Sequence, residues 1–217
     1  MKIRILYDNR ALEGYRADWG FACLVQGEEA VLFDTGADPA VLEHNMGAAG
    51  VNPSDLHKVV LSHDHWDHTG GVAYAAGGGG PTTVYLLPSF SPETRRSVRA
   101  RAEVREVADA CEVAPGVHST GPVGRRISEQ AVWLDTERGV VLITGCAHPG
   151  VDALMYAIRS TKPLYGVLGG FHGFHRFEAL RGTPFLAPCH CTEFRSGLAE
   201  EFPDSFCDVA AGSELEF

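Results

Sequence analysis

Five short apolar runs in this chain, each typical of a buried β-strand, end in aspartate or histidine beside small residues. In a sheet whose two faces are covered, ligands bind in the crevice at the carboxyl ends of the strands. We therefore expect the five strand ends to converge on one site in an α/β fold. The runs, each with the polar residue that follows it, are 30–33 with Asp34, 59–62 with His63, 140–147 with His148, 165–171 with His172, and 185–189 with His190.

The densest of these strand ends places four metal-binding side chain types within six residues: His63, His65, Asp67 and His68. His63 and His65 are two positions apart, so on extended backbone both imidazoles project to the same side. Asp67 and His68 follow the strand, where a tight turn is expected to point them at a second centre. Burying this many polar groups without a cation is unfavourable, which favours a metal site over a solvated loop. The following segment 69–71, Thr-Gly-Gly, leaves room for close backbone approach.

This motif resembles the HxHxDH signature of the metallo-β-lactamase superfamily. Other segments match that superfamily in order: residues 34–36 resemble its first motif, His148 its third and His190 its fifth. The resemblance spans nearly the whole chain. It implies an α/β fold, a four-layer αββα sandwich of two β-sheets with outer helices, formed by residues 1–217 as a single domain.

The same resemblance implies two divalent metal ions. Each would have three protein ligands and at least one open position, which is the pattern of a catalytic rather than a structural site. Zinc suits a histidine-rich set best, with iron and manganese as the alternatives. The implied ligands are His63, His65 and His148 for one ion, and Asp67, His68 and His190 for the other.

At the fourth motif the chain departs from the superfamily pattern, in which an aspartate that bridges the metals ends a strand. Between His148 and His190 the only acids are Asp152 and Glu178, and neither ends a predicted strand. The strand in this region runs instead into His172, which is predicted to supply a ligand or a substrate contact. A bridging hydroxide alone and a one-metal site are the alternatives.

Residues beside the predicted ligands have expected roles of their own. By the resemblance, Asp34 would orient a ligating histidine through a hydrogen bond. Cys146, Cys189 and Cys191 adjoin ligands, and tight packing as small reduced thiols is favoured over thiolate ligation. No CxxC pair is present, which argues against zinc-ribbon and thioredoxin-type sites.

Three segments narrow the resemblance further: residues 145–150, 169–172 and 189–192. They are similar to the branch of dihydropterin/ribofuranosyl-aminobenzene-phosphate synthase-like hydrolases, which implies a small-molecule substrate, phosphorylated in some members. The expected function is a metal-dependent hydrolase that uses a metal-bound hydroxide on an ester or phosphoester. Asp67 would orient the hydroxide and move its proton. The alternatives are a pterin-type condensation or transfer enzyme with the same metals, and a non-catalytic metal-binding module.

The balance of acidic and basic residues indicates which binding partners to expect. The chain has 18 Lys and Arg against 28 Asp and Glu, a formal net charge of −10. This disfavours binding to nucleic acid or to an anionic membrane, because both depend on clustered basic residues. No apolar run approaches the length of a membrane span and no secretory signal is evident, so a cytoplasmic location is predicted.

Apolar spacing and capping residues also predict helices. They cover residues 39–49, 91–104, 151–159 and 192–202, and a weak strand is predicted at 126–127.

Overall fold

The computed structural model describes all residues from 1 to 217, with two β-sheets packed face to face. The strands are β1 (Lys2–Tyr7), β2 (Ala22–Gln26), β3 (Ala30–Phe33), β4 (Lys58–Val60), β5 (Thr83–Leu86), β6 (Glu103–Glu106), β7 (Cys111–Ala114), β8 (Val117–Ser119), β9 (Val132–Asp135), β10 (Val140–Thr144), β11 (Leu164–Gly170), β12 (Phe185–Cys189) and β13 (Glu214–Glu216).

Helices cover the outer faces of both sheets. α1, α3 and α4 pack on the side of the first sheet, and α5 packs against β10 of the second. None of the helices is long and apolar enough to cross a membrane. The helices are α1 (Pro39–Ala48), α2 (Trp66–Thr69), α3 (Val72–Ala75), α4 (Pro92–Arg99), α5 (Val151–Tyr156) and α6 (Arg195–Glu201), with 3₁₀ turns at Pro53–Asp55 and Phe177–Leu180.

Strand direction brings the predicted strand ends together. The first sheet has the order β13-β1-β2-β3-β4-β5-β6 and is parallel from β3 to β6. The second has the order β12-β11-β10-β9-β8-β7 and is parallel from β10 to β12. Within each parallel region all carboxyl ends lie at the same edge, so the site forms where the two edges meet.

Side-chain alternation along the strands builds two hydrophobic clusters. The larger has 39 buried residues and fills the space between the sheets, and the smaller has 13 and lies beneath α5 and α6. On β10, Val141 belongs to the first cluster and Leu142 to the second, because successive side chains of a strand point to opposite faces. The predicted αββα sandwich is therefore confirmed.

Four predicted elements differ from the structure, one of them the helix expected over 192–202, which begins at Arg195. The helix expected over 91–104 ends at Arg99, because residues 103–106 pair in parallel with β5 as strand β6. The weak strand at 126–127 is a bend, and only Val123 and Glu129 on either side of it form a bridge. The helix expected over 151–159 ends at Tyr156.

Candidate metal centre

The first donor group consists of His63 and His65, after β4, and His148, after β10. Nε2 of His63 lies 3.0 Å from Nδ1 of His65. The ring of His148 is centred 4.7 Å from that of His63 and 4.9 Å from that of His65. Three imidazoles that the sequence places up to 85 positions apart are thus brought into mutual contact by the meeting of the two sheets.

The second donor group consists of Asp67 and His68, on α2, and His190, after β12. Oδ2 of Asp67 lies 3.4 Å from Nε2 of His190 and 3.7 Å from Nε2 of His68. The rings of His68 and His190 are centred 5.0 Å apart. The structure therefore brings together all six residues predicted as ligands, in the two predicted sets.

The two groups adjoin each other. The rings of His63 and His68 are centred 4.3 Å apart. Between the groups lies Cys146, whose Sγ is 3.1 Å from Nε2 of His68. Its position beside a ligand predicted a packing role for this thiol, whereas the structure places it among the donor atoms.

The donor atoms suit a cation. The side chain of His190 is fully buried, yet its Nε2 has no hydrogen-bond partner. Burial lowers the pKa of both His63 and His68 to about 3, so these rings are neutral. Neutral imidazoles with a free nitrogen are the form in which histidine binds metals.

Asp67 is held as an ionised acceptor. Burial alone would raise the pKa of Asp67, but the imidazoles of His190 and His68 beside its carboxylate hold the pKa well below its usual range. Nε1 of Trp19 also donates a hydrogen bond of 2.9 Å to its Oδ2. A carboxylate in this setting stays ionised and can accept hydrogen bonds or bind a cation.

Asp34, which was predicted to orient a ligating histidine, contacts His68. Its Oδ2 lies 2.7 Å from Nδ1 of His68 and accepts a bond of 2.7 Å from Oγ of Ser62, and its Oδ1 accepts one from the Ser62 N–H. Burial raises the pKa of Asp34 to about 7. Contact at Nδ1 leaves Nε2 of His68 facing the donor groups.

Glu129 is a supporting residue that the sequence analysis missed. It is fully buried, and its carboxylate accepts the backbone N–H groups of Cys146, Ala147 and His148 as well as Nδ1 of His148. Burial would raise its pKa, but the bond from His148 and these donors lower the pKa of Glu129 to about 2. The pairing of two strands could have indicated this role. Because β9 runs antiparallel to β10, a residue just before β9, such as Glu129, lies beside the residues just after β10.

His190 has a comparable support that was also missed. Asp8, directly after β1, accepts its backbone N–H at 2.7 Å, and Oδ1 of Asn9 lies 3.0 Å from its Nδ1. Nδ2 of Asn9 donates back to the carbonyl of His190 at 2.9 Å. These contacts orient the ring with its unpartnered nitrogen toward Asp67.

The backbone around the site is strained in a consistent way. Four non-glycine residues have positive φ, namely Asp34 (57°), Ala147 (56°), His172 (42°) and His190 (49°), and each lies within three residues of the end of a strand bordering the site. Such conformations persist where the surrounding structure over-determines them, as active sites do.

Glycines after the motif permit the close approach that was expected. A Cβ on Gly70 would lie 1.9 Å from the carbonyl oxygen of Ala37, and one on Gly71 would lie 2.3 Å from that of Thr35. The turn that carries the motif is thereby pressed against the segment that follows β3.

His172 lies at the rim of the site, outside both donor groups. Its ring is centred 5.0 Å from that of His148, its side chain is 47% exposed, and its Nδ1 accepts the Gly173 N–H. It lines a cavity of about 270 Å³ beside His148, together with His175 and Arg176. This position suits a substrate contact better than a ligand.

Comparisons with known proteins agree with this geometry. The family model of the metallo-beta-lactamase superfamily matches residues 20–181. A 7,8-dihydropterin-6-methyl-4-(beta-D-ribofuranosyl)-aminobenzene-5'-phosphate synthase of Methanocaldococcus jannaschii is 22% identical, over 88% of this chain and 85% of that protein.

Solved structures show the same architecture. One described as a metal-dependent hydrolase of the beta-lactamase superfamily is 26% identical with a TM-score of 0.82, covering 100% of this chain and 99% of the other. Zn(2+)-bound PqqB from Methylobacterium extorquens is 15% identical with a TM-score of 0.66, covering all of both chains.

Proposed function

Because the chain belongs to the metallo-beta-lactamase superfamily, whose fold implies divalent metal binding, we propose that it is a metal-dependent hydrolase with one cation in each donor group. The observation that carries this proposal is the convergence of six donors from both sheets, one of which, His190, has a buried nitrogen without a partner. Divalent cations there would lower the pKa of a coordinated water and polarise the bond to be cleaved. Zinc is the first choice for this set, with iron and manganese as alternatives.

Asp67 is the proposed catalytic residue. It is ionised and lies between the imidazoles of His68 and His190 and the indole of Trp19, so its carboxylate would orient the attacking water by accepting a hydrogen bond from it. The bond from Trp19 occupies Oδ2 and fixes the plane of the carboxylate.

The substrate is proposed to be a small ester or phosphoester. The cavity beside His148 is of small-molecule size, and His172 and Arg176 line it with hydrogen-bond donors for an anionic group. Arg176 is itself paired with Asp152. Nδ1 of His172 accepts the Gly173 N–H and lies 3.6 Å from Glu193, which leaves Nε2 of His172 as the donor for a substrate. The net charge of −10 disfavours nucleic acid as a substrate.

The proposal is tested by metal analysis and turnover of the wild-type protein and of His148→Ala, with the exposed His57→Ala as the matched control. We expect His148→Ala to lose metal together with hydrolysis of model phosphodiesters, esters and thioesters, and His57→Ala to keep both. Unchanged metal content in a folded His148→Ala protein would overturn the assignment.

A condensation or transfer on a pterin-type alcohol is the second candidate, favoured by the synthase of Methanocaldococcus jannaschii among the relatives. The same donor groups would hold the cations as Lewis acids. Release of phosphate or of an ester group without a second substrate would favour hydrolysis, and product formation only with two substrates would favour condensation. Metal retention without any turnover would indicate a binding module.

A further inference from the structure

We propose that Cys146 binds both cations, as a thiolate that bridges the two donor groups. This rests on the proposed function, since it requires a cation in each group. Sγ of Cys146 forms one close set with donor atoms of His63 and His148 and another with those of His68 and His190, with all atoms in each set within 4.8 Å of one another. One sulfur is therefore shared by histidines of both groups.

The separations fit coordination. With zinc–sulfur bonds of about 2.3 Å and zinc–nitrogen bonds of about 2.0–2.1 Å, tetrahedral geometry puts sulfur and nitrogen about 3.5 Å apart. Sγ of Cys146 lies 3.1 Å from Nε2 of His68. The thiol is 3% exposed, so the sulfur faces the donor atoms rather than solvent.

No carboxylate is available for the same place. At the end of β11, a Cβ on Gly170 would lie 2.3 Å from the carbonyl oxygen of Gly145 and 3.2 Å from Cα of Cys146. The segment that carries Cys146 therefore fills the space that a side chain from this strand end would need. Asp152, an acid of the same region, is paired with Arg176.

A second observation points to a ligand at this place. His190 belongs to the set that contains Sγ of Cys146, and its buried Nε2 has no hydrogen-bond partner. Glu129 fixes the backbone of Cys146 by accepting its N–H at 2.8 Å. Sγ of Cys146 and the unpartnered Nε2 of His190 are therefore held in the same buried region, where a cation would satisfy the free nitrogen.

Binding would be a proton exchange without redox change. The S–H bond of Cys146 breaks, its electron pair stays on sulfur, and the proton leaves to solvent. One lone pair of the thiolate sulfur would then bind the first cation, and a second lone pair would bind the other. The bridge adds one negative charge to a donor set in which Asp67 is otherwise the only anion in direct contact.

The decisive measurement is zinc-edge X-ray absorption of wild-type protein loaded with two zinc ions per chain. A bridging thiolate gives about one sulfur neighbour per zinc at about 2.3 Å, whereas a thiolate bound to one ion gives about half of one. The lower value, or no sulfur neighbour, would overturn the bridge. Failure of the wild-type protein to bind zinc, iron or manganese would instead overturn the proposed function.

Variants identify the sulfur. In Cys146→Ser the sulfur signal is expected to disappear, and in cobalt-loaded protein the near-ultraviolet thiolate-to-cobalt band is expected to be lost. Cys191→Ser, next to the site, and the partly buried Cys207→Ser are the matched controls and should keep both signals. Loss of the signals in Cys191→Ser but not in Cys146→Ser would assign the sulfur elsewhere and overturn the inference.

Discussion

At the scale of single residues, the site depends on side chains that never touch the proposed cations. Glu129 satisfies three backbone N–H groups and one imidazole with a single carboxylate. Asp34 and Asn9 orient His68 and His190 in the same manner. Such supporting contacts fix which nitrogen of each ring is free to bind.

Glu129→Gln tests this support. The amide group that replaces one oxygen would face N–H donors, leaving buried donors unpaired at a cost of about 1–3 kcal/mol in free energy of unfolding. Weaker orientation of His148 should lower metal affinity by about 10–100-fold. Urea unfolding and competition with a chromophoric chelator measure the two effects. The exposed Glu137→Gln is the control, and equal affinity in both variants would contradict the proposed support.

Tyr7 provides a prediction at high pH. Burial and a 2.6 Å hydrogen bond to Asp18 raise the pKa of Tyr7. The fold therefore favours the neutral phenol, and this stabilisation is complete below about pH 10 and lost as the pH rises further. Tyr7→Phe should flatten the alkaline decline in unfolding free energy, whereas the exposed Tyr156→Phe should not. An unchanged decline in Tyr7→Phe would show that this group does not contribute.

At the scale of elements, the edge of the first sheet delivers two donors to each group and the edge of the second sheet delivers one. The turn with α2 carries His65, Asp67 and His68, and it lies against the segment after β3 because Gly70 has no side chain. Gly70 N also donates to the carbonyl of Gly36 at 2.9 Å. Contacts between the backbone at Gly70 and the backbone after β3 therefore position the motif.

Gly70→Ala and Gly47→Ala separate this contact from ordinary helix propensity. The Cβ at position 70 meets backbone, so the variant should lose about 1–3 kcal/mol of unfolding free energy and bind metal less tightly. Gly47 lies in α1 with nothing within 4 Å of its Cβ position, so Gly47→Ala should gain about 0.5–1 kcal/mol. Denaturant midpoints measure both, and opposite signs are expected.

At the scale of the whole molecule, each donor group draws on both sheets, so a cation in either group would join them. A ligand that binds only the folded state stabilises it by about 2.7 kcal/mol at a hundred times its dissociation constant.

Chelation should therefore lower the melting temperature of the wild-type protein. His148→Ala, which lacks a donor of the first group but keeps the second group, should show a smaller chelator-induced shift in melting temperature than wild type, and His57→Ala should behave like wild type. Calorimetry with and without chelator makes the comparison. If chelator leaves the melting temperature of the wild-type protein unchanged, the proposal that a cation joins the two sheets is contradicted.

Much of the molecule was predictable because its signals are local. The strand ends and the spacing of His63 to His68 can be recognised without knowing which strands are neighbours. Strand β6 and the role of Glu129 were missed because they depend on pairing and register between strands, which apolar periodicity does not encode. The central place of Cys146 likewise follows from the meeting of two sheets.

The division of donors between the sheets also bears on fragments of this protein. A cut in the segment between β6 and β7 would leave His63, His65, Asp67 and His68 on one piece and His148 and His190 on the other. Neither piece alone carries a full set, so uptake of a coloured metal such as cobalt would report reassociation of the two pieces.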